Sequence, residues 1–325
     1  MFRAVVCAYS EVGYRCLAEL LDAGVDVPLV FTHAAAPGEQ QWFGSVLQLA
    51  RSRGVPTVTV EDPHGAGWCE RIAALAPQYL LCFYYRALLD ERLLRLPRWG
   101  ALNMHGSLLP KYRGRAPVNW AILRGERQTG ATLHFMVPKP DAGPIVAQEA
   151  VAIGIDDTAL TVSLAVAAAA ARLIARCLPA LAAGPPSAEA MDLTQGSYFG
   201  GRKPEDGRID LAWPALNIHN LIRAVAPPFP GAFVDLGARR VLFEGSRWTD
   251  EPVRHAALAP CLYAETGSLY LDCRDGRRLA IASVRIGEER LDAAALVRRQ
   301  GRAPLSLAPQ AEGRLEDEET AHTRG

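Results

Sequence analysis

The sequence predicts a doubly wound, mostly parallel α/β sheet followed by a small β-rich domain. Three observations carry this. Through residues 1–150, short β-rich runs alternate with segments of helical spacing, the pattern of parallel strands joined by helical crossovers. Beyond a stretch rich in Pro, Gly and Ser at 184–205, the pattern changes to brief β-like runs separated by Gly and Asp, as in a small barrel. The 325 residues are about twice an ordinary domain, enough for one large and one small core.

Each element has a local reason. Strands are predicted at 4–9, 28–32, 57–60, 79–84 and 101–104, and helices at 16–24, 45–54 and 68–76. The first two helices close on Gly24 and Gly54, as C-caps do. Strands at 132–136 and 145–152 precede Asp156, Asp157 and Thr158, which offer caps for a helix carrying Leu160, Leu164, Ala167, Ala171, Ile174 and Cys177. Pro179 is expected to kink its end and Gly184-Pro185-Pro186 to stop it. Later, a helix at 215–225 leads to PPFPGAF and to strands near 240–243, 269–273 and 279–284. The expected domains are 1–200 and 201–305, with a tail at 306–325 whose last residues are nearly devoid of apolar side chains and are expected to be disordered.

Composition excludes several classes. The 35 Lys and Arg balance the 35 Asp and Glu, so no whole-protein field concentrates the chain on nucleic acid or anionic lipid, and no nucleic-acid partner is expected. Seven cysteines without a CxxC pair suggest neither a zinc ribbon nor a disulfide framework; reduced thiols and a cytoplasmic location are expected, with no metal. The N-terminus, MFRAVVCAYSEVG, lacks the long apolar core of a secretory signal. The longest uncharged apolar run, 159–171, stops at Arg172, short of the ~20 residues that span a bilayer, so no membrane insertion is expected. The first strand is followed by a single Gly13 rather than GxGxxG, which disfavours NAD.

The densest cluster of chemistry is NMHGSLLPKYRGRAPVNWAI at 103–122, starting at the C-terminal end of a predicted strand, the edge where open α/β sheets bind ligands. Asn103 and His105 are two apart and share a strand face, one supplying an amide donor and the other a proton carrier. Lys111, Arg113 and Arg115 follow in a loop and suit carboxylate or phosphate. Asp141 lies in the turn VPKPDAGPI, where an Asp also serves as a plain turn former, so that residue alone leaves both readings open. Together the three are the parts of acyl transfer to an amine. Asn103 would stabilise an oxyanion, His105 would move the proton, and Asp141 would hold the imidazole and favour imidazolium. His33, His134 and His219 read as structural on apolar segments, and His64, His255 and His322 as exposed. Arg202 and Lys203 read either as phosphate ligands or as a solvated linker pair.

The run Asn103-Met104-His105-Gly106-Ser107-Leu108-Leu109-Pro110, continued by Lys111-Tyr112-Arg113-Gly114 and later by Asp141-Ala142-Gly143, resembles the signature of folate-dependent formyltransferases. Within them the chain is most similar to the formyltransferase domains of bifunctional polymyxin-resistance enzymes, which act on UDP-4-amino-4-deoxy-L-arabinose. The shared runs are FTH (31–33), PGE (37–39), GSV (44–46), FYYR (83–86), HGSLLPKYRGRAPVNW (105–120), DAGPIVAQ (141–148) and RAVAPPFPGAF (223–233), so the likeness covers about residues 1 to 300.

The resemblance implies a Rossmann-like N-terminal domain for 10-formyltetrahydrofolate and catalysis, and a β-barrel-like C-terminal domain. It makes His105 the catalytic histidine, Asn103 the transition-state stabiliser and Asp141 the acidic partner. Folate is expected against Ala87, Leu88, Leu89, Arg115 and the run Val137, Pro138, Lys139, Pro140, Asp141. A nucleotide-linked amino sugar is the expected second substrate, with Lys111, Tyr112, Arg113 and Arg202 as candidate contacts. Homo-oligomerisation stays open. Two departures stand out: no decarboxylase segment follows, so a stand-alone formyltransferase is expected, and Lys139-Pro140 differs from the relatives. Methionyl-tRNA formyltransferase is the alternative, disfavoured by the balanced charge; an inactive folate- or nucleotide-binding regulator is the third reading.

Overall fold

The computed structural model describes residues 1–34, 41–60, 63–65 and 67–307. The PGE run at 37–39 and the tail from 308 lie outside the described residues. Two compact units form: residues 1–207 with Arg223–Pro230, and Arg208–Ile222 with the chain from Gly231 onward.

The first unit runs β1 (Arg3–Ala8), α1 (Ser10–Asp22), β2 (Asp26–Thr32), α2 (Val46–Ser52), β3 (Thr57–Thr59), α3 (Trp68–Ala74), β4 (Tyr79–Phe83), α4 (Glu91–Leu94) and β5 (Gly100–His105). There follow β6 (Arg113–Gly114), α5 (Pro117–Leu123), β7 (Gln128–Phe135), β8 (Ile145–Ala152), α6 (Ala159–Ala183) and β9 (Tyr198–Phe199). Seven strands form one sheet in the order β3-β2-β1-β4-β5-β7-β8. The pairings from β3 to β5 are parallel, and those of β5 with β7 and β7 with β8 are antiparallel. The fold is thus the predicted mostly parallel α/β sheet.

Strand alternation explains both layers. Ala4, Val6 and Ala8 of β1 join Tyr79, Leu81 and Phe83 of β4 in one core, while Val5 and Cys7 join Leu80 and Cys82 in the other. β5 follows the same rule until its end. Leu102 and Met104 enter the first core, and the opposite face carries Ala101, then Asn103 and His105.

Four local differences from the sequence reading have physical causes. α1 starts at Ser10, six residues earlier than predicted, because Glu11 and Val12 are buried, with Glu11 accepting from the Gly44 amide at 2.9 Å and pairing Arg15 at 2.6 Å. α5, not predicted, opens with a proline at its first turn after left-handed Ala116. α6 runs on through Arg172, where the uncharged stretch ends, to a total of 25 residues, long and apolar enough by composition to cross a membrane. Here it is a core helix. Arg172 and Arg176 pair Glu149 of β8 at 2.7 and 2.8 Å, and Val166, Ala170, Leu173, Ile174 and Leu181 are buried; each such Val, Leu or Ile side chain contributes about 1.5–3 kcal/mol. Its start is closed by a reciprocal capping box between Thr158 and Thr161, Pro179 lies within it, and it ends at Gly184.

The fourth difference is the stretch 184–205, predicted as a linker. It is strapped to the first unit: β9 pairs β6 in parallel, and the amides of Arg113 and Arg115 donate to Ser197 and Phe199 at 2.9 Å. Phe199 stacks between Tyr112 and Trp120, at 5.4 and 4.7 Å between ring centroids.

The second unit contains most of α7 (Ala215–Ala224), then β10 (Ala232–Leu236), β11 (Arg239–Arg247), β12 (Cys261–Glu265), β13 (Ser268–Asp272), β14 (Arg278–Ile286), β15 (Glu289–Leu291), α8 (Ala293–Gln300) and β16 (Leu305–Ser306). Its antiparallel sheet has the order β10-β11-β14-β13-β12-β16, with β15 on β14. Ser306, expected to open the tail, pairs with Cys261 of β12, and the Leu307 amide donates to Pro260 at 3.0 Å.

Candidate active site

The C-terminal ends of β4 and β5, the loop after β5 and the β7–β8 turn enclose a cleft of about 510 Å³ within the first unit. His105, 6% exposed, is held on one side: its Nε2–H donates to the Tyr112 carbonyl at 2.8 Å, because a carbonyl only accepts. Its Nδ1 faces Asp141 Oδ1 at 3.5 Å, an ion-pair distance longer than a good hydrogen bond. The Asp141 Oδ2 accepts the Gly114 amide at 2.9 Å, and its Oδ1 lies 3.4 Å from Asn103 Nδ2. The three residues named from the sequence therefore meet.

Electrostatics assigns their states. Burial holds the His105 imidazole below its ordinary value, outweighing Asp141 and the Tyr112 carbonyl, which pull it up. The carboxylate alone would raise the basicity of His105, as the sequence suggests; desolvation wins. Burial would raise Asp141, but His105, His134 and the Gly114 amide together hold it at about 2. At neutral pH the pair is a neutral imidazole beside a carboxylate. Cys82 also lines the cleft, and burial pushes its thiol up to about 12, so it stays protonated and is no nucleophile.

Backbone strain collects here. Tyr84, Tyr112, Ala116 and Asp141 all adopt left-handed φ between 50° and 57°, each costing about 1 kcal/mol or more. Gly106 is required by contact: a Cβ there would lie 1.6 Å from the Tyr84 hydroxyl oxygen. The SLLP loop is fixed by a polar network in which Thr132 Oγ1 donates to the Ser107 carbonyl at 2.6 Å. Gln148 Nε2 donates to the Leu109 carbonyl at 2.8 Å, and Ser107 Oγ to the Lys111 carbonyl at 2.6 Å. Motif residues without chemistry of their own thus set the position of Tyr112, hence of His105.

Of the folate positions inferred from the resemblance, Ala87, Leu88, Leu89, Arg115, Val137, Pro138, Pro140 and Asp141 line the cleft, and Lys139 does not. Leu88 is 73% exposed, apolar surface open on the cleft wall. None of the four candidate acceptor contacts lines this cleft. Lys111 and Tyr112 line a separate cavity of about 340 Å³ with Arg124 and Glu126. Arg113 is buried, its guanidinium 5.8 Å from the Tyr198 ring, and Arg202 sits 4.8 Å over Trp120 with its Nη2 donating to the Asp206 carbonyl at 2.9 Å.

From the sequence, Tyr84 reads equally as a core-strand residue or a pocket wall, and His134 as structural. Tyr84 lines both the cleft and a smaller cavity of about 130 Å³ beside Ser10, Trp42 and Asn119. His134, 1% exposed, lies opposite Asn103 across the β5–β7 pair, with Nε2 3.1 Å from Asn103 Nδ2. Among the described residues, no group of His, Cys, Asp and Glu is arranged to hold a metal.

A mostly parallel α/β sheet that brings an amide, an imidazole and a carboxylate together in one cleft has the parts that group transfer needs. The chain matches the family model for formyl transferase over residues 22–178 and that for the formyl transferase C-terminal domain over 202–301. It belongs to the formyl transferases and is a formyltransferase enzyme. Among solved structures, its fold resembles an N-formyltransferase from Helicobacter canadensis in complex with folinic acid and dTDP-3-aminofucose. The TM-score is 0.65 at 18% identity, over 86% of this chain and 99% of that one. WlaRD, a sugar 3N-formyltransferase solved with dTDP and 5-N-formyl-THF, gives the same TM-score of 0.65 and 18% identity, over 86% and 97%. HypX from Aquifex aeolicus with tetrahydrofolic acid gives 0.61 at 16%, over 91% of this chain and 47% of that one.

Proposed function

We propose that the enzyme transfers a formyl group from 10-formyltetrahydrofolate to the amine of a nucleotide-linked amino sugar, with UDP-4-amino-4-deoxy-L-arabinose as the acceptor. This is the chemistry of lipid A modification in polymyxin resistance, and it implies a cytoplasmic enzyme organised as domains 1–200 and 201–305. The observation that carries the reading is the meeting of Asn103 and His105 on one oxygen of Asp141, at 3.4 and 3.5 Å, at the floor of an apolar-walled cleft. The cleft suits a folate. Ala87, Leu88, Val137 and Pro138 offer an apolar wall to a flat ring, and the Arg115 guanidinium offers charge for a glutamate carboxylate.

10-Formyltetrahydrofolate supplies the activated formyl group: its carbon–nitrogen bond breaks as a bond from the acceptor nitrogen to the same carbon forms. The chain's residues handle the proton and the charge. Because His105 Nε2 is committed to Tyr112, Nδ1 takes the proton from the attacking amine and returns one to the departing nitrogen. Asp141 stabilises the imidazolium between these events, and Asn103 donates an amide N–H to the developing negative oxygen. The smaller cavity shares Tyr84, Ala116 and Pro117 with the cleft, which supports entry of the acceptor from that side.

The test is mass spectrometry of UDP-4-amino-4-deoxy-L-arabinose incubated with enzyme and 10-formyltetrahydrofolate, alongside other UDP- and dTDP-linked 3- and 4-amino sugars. The arabinose derivative is expected to gain one CO. A gain confined to another sugar reassigns the acceptor, formylation of methionyl-tRNA alone selects the tRNA reading, and folate binding without turnover on any acceptor selects the regulator.

A further inference from the structure

We infer that His134 is a positioning residue that fixes which way the Asn103 amide points. The inference rests on the proposed role of Asn103 as oxyanion donor. The argument begins with the ring's tautomer. His134 Nδ1 lies 2.8 Å from the Phe135 carbonyl, which only accepts, so Nδ1 carries the hydrogen. In the neutral ring Nε2 is then a bare acceptor, and its nearest polar partner is Asn103 Nδ2 at 3.1 Å; Asp141 Oδ1 stands off at 3.6 Å. An acceptor facing the amide requires the NH2 end, not the oxygen, on this side.

The consequence falls on the remaining N–H. One amide hydrogen is held by His134. The other is directed towards Asp141 Oδ1 at 3.4 Å, too long to bind it firmly and therefore open to an oxygen that bears more charge. Without His134 the amide is free to turn over, and a turned amide presents its own oxygen to the developing negative charge. The pairing is built into the sheet: Asn103 and His134 are direct partners in the antiparallel β5–β7 ladder, and His134 is 1% exposed. No rotation of the imidazole is possible without giving up the Phe135 carbonyl.

Two measurements test this. The first needs no substrate: nitrogen NMR of the full-length protein at pH 8 is expected to show His134 as the Nδ1–H tautomer with a coupling from Nε2 to the Asn103 amide. An Nε2–H tautomer overturns the inference. The second is a double-mutant cycle assayed with 10-formyltetrahydrofolate and UDP-4-amino-4-deoxy-L-arabinose. His134→Leu is expected to lower kcat by about tenfold or more with KM near wild type, since loss of a whole oxyanion donor costs about 10²–10³. His134→Gln, which keeps an acceptor towards Asn103 and a donor towards Phe135, is expected to restore most of the rate. In an Asn103→Ala background, His134→Leu is expected to change kcat by less than about threefold. Equal losses in both backgrounds, or no rescue by Gln, overturn the positioning role. Should Asn103→Ala itself retain full activity, the assignment of Asn103 fails instead, and the NMR result still decides the orientation of the amide.

Discussion

Two polar clusters in this molecule each gather around a buried charged group and differ in how tightly they close. In the second unit, Arg278 Nη1 donates to Glu265 at 2.6 Å and to the Tyr263 hydroxyl at 3.1 Å, its Nη2 pairs Glu251, and its guanidinium lies 4.1 Å over the Tyr270 ring. Asp272, fully buried beside it, accepts from Tyr263 at 3.1 Å and from the amides of Arg254 and His255 at 2.8 and 2.7 Å. The contacts are short, and Arg278 Nε alone of this guanidinium's nitrogens lacks a partner. In the first unit, Asp141 Oδ1 instead faces Asn103, His105 and His134 at 3.4, 3.5 and 3.6 Å, and all four residues line the cleft. Burial of charge alone does not mark a catalytic site. What marks it is a set of donors and acceptors left slightly too far apart for one another and open to a third group.

The contrast can be broken most severely at the first cluster. His105→Ala is expected to lower kcat by about 10²–10⁴ and Asn103→Ala by about 10²–10³, measured on purified protein with the cognate acceptor, while thermal unfolding changes little. A large fall in melting temperature would make the site a structural cluster like the other. The converse holds for Asp272→Ala, which strands two backbone amides and a hydroxyl: a loss of about 3 kcal/mol in denaturant unfolding is expected, with turnover per folded molecule retained.

A finer comparison concerns protonation. With burial holding His105 below its ordinary value, the acid limb of kcat/KM is expected below the usual histidine range, since activity needs the neutral ring and is lost as pH falls through its pKa. Asp141→Asn removes the group that pulls His105 upward, so the limb moves further towards acid while the maximal rate drops. A limb that moves towards base would reverse the assignment. The smallest effect is expected at the wall. Leu88→Ser should raise KM for 10-formyltetrahydrofolate a few-fold with kcat unchanged, in steady-state assays, because it removes apolar contact and no chemistry.

Much of the fold was legible because it is local. β8 occupies the predicted 145–152, and alternation placed Asn103 and His105 on one face away from Leu102 and Met104. The stretch 184–205 misled because Pro, Gly and Ser suggest a linker, while Ser197 and Phe199 reach partners more than 80 residues distant in sequence. Neither Arg113 nor Arg202 lines the cleft of Asn103, His105 and Asp141. His134 read as one more histidine on an apolar strand, because its meaning lies in a partner 31 residues away.

Alternation, caps and the shared face of Asn103 and His105 were thus determined by sequence alone, since each depends on residues adjacent or two to four apart, whereas Asp141 lies 38 residues beyond Asn103 and reaches it only through the fold. Only tertiary structure decided the rest. Strand register set His134 against Asn103, a backbone carbonyl chose which nitrogen of His105 faces Asp141, and the depth of the cleft decided that desolvation outweighs the Asp141 charge. Those outcomes depend on distances between segments remote in the chain, and on the water excluded between them, which no local pattern encodes.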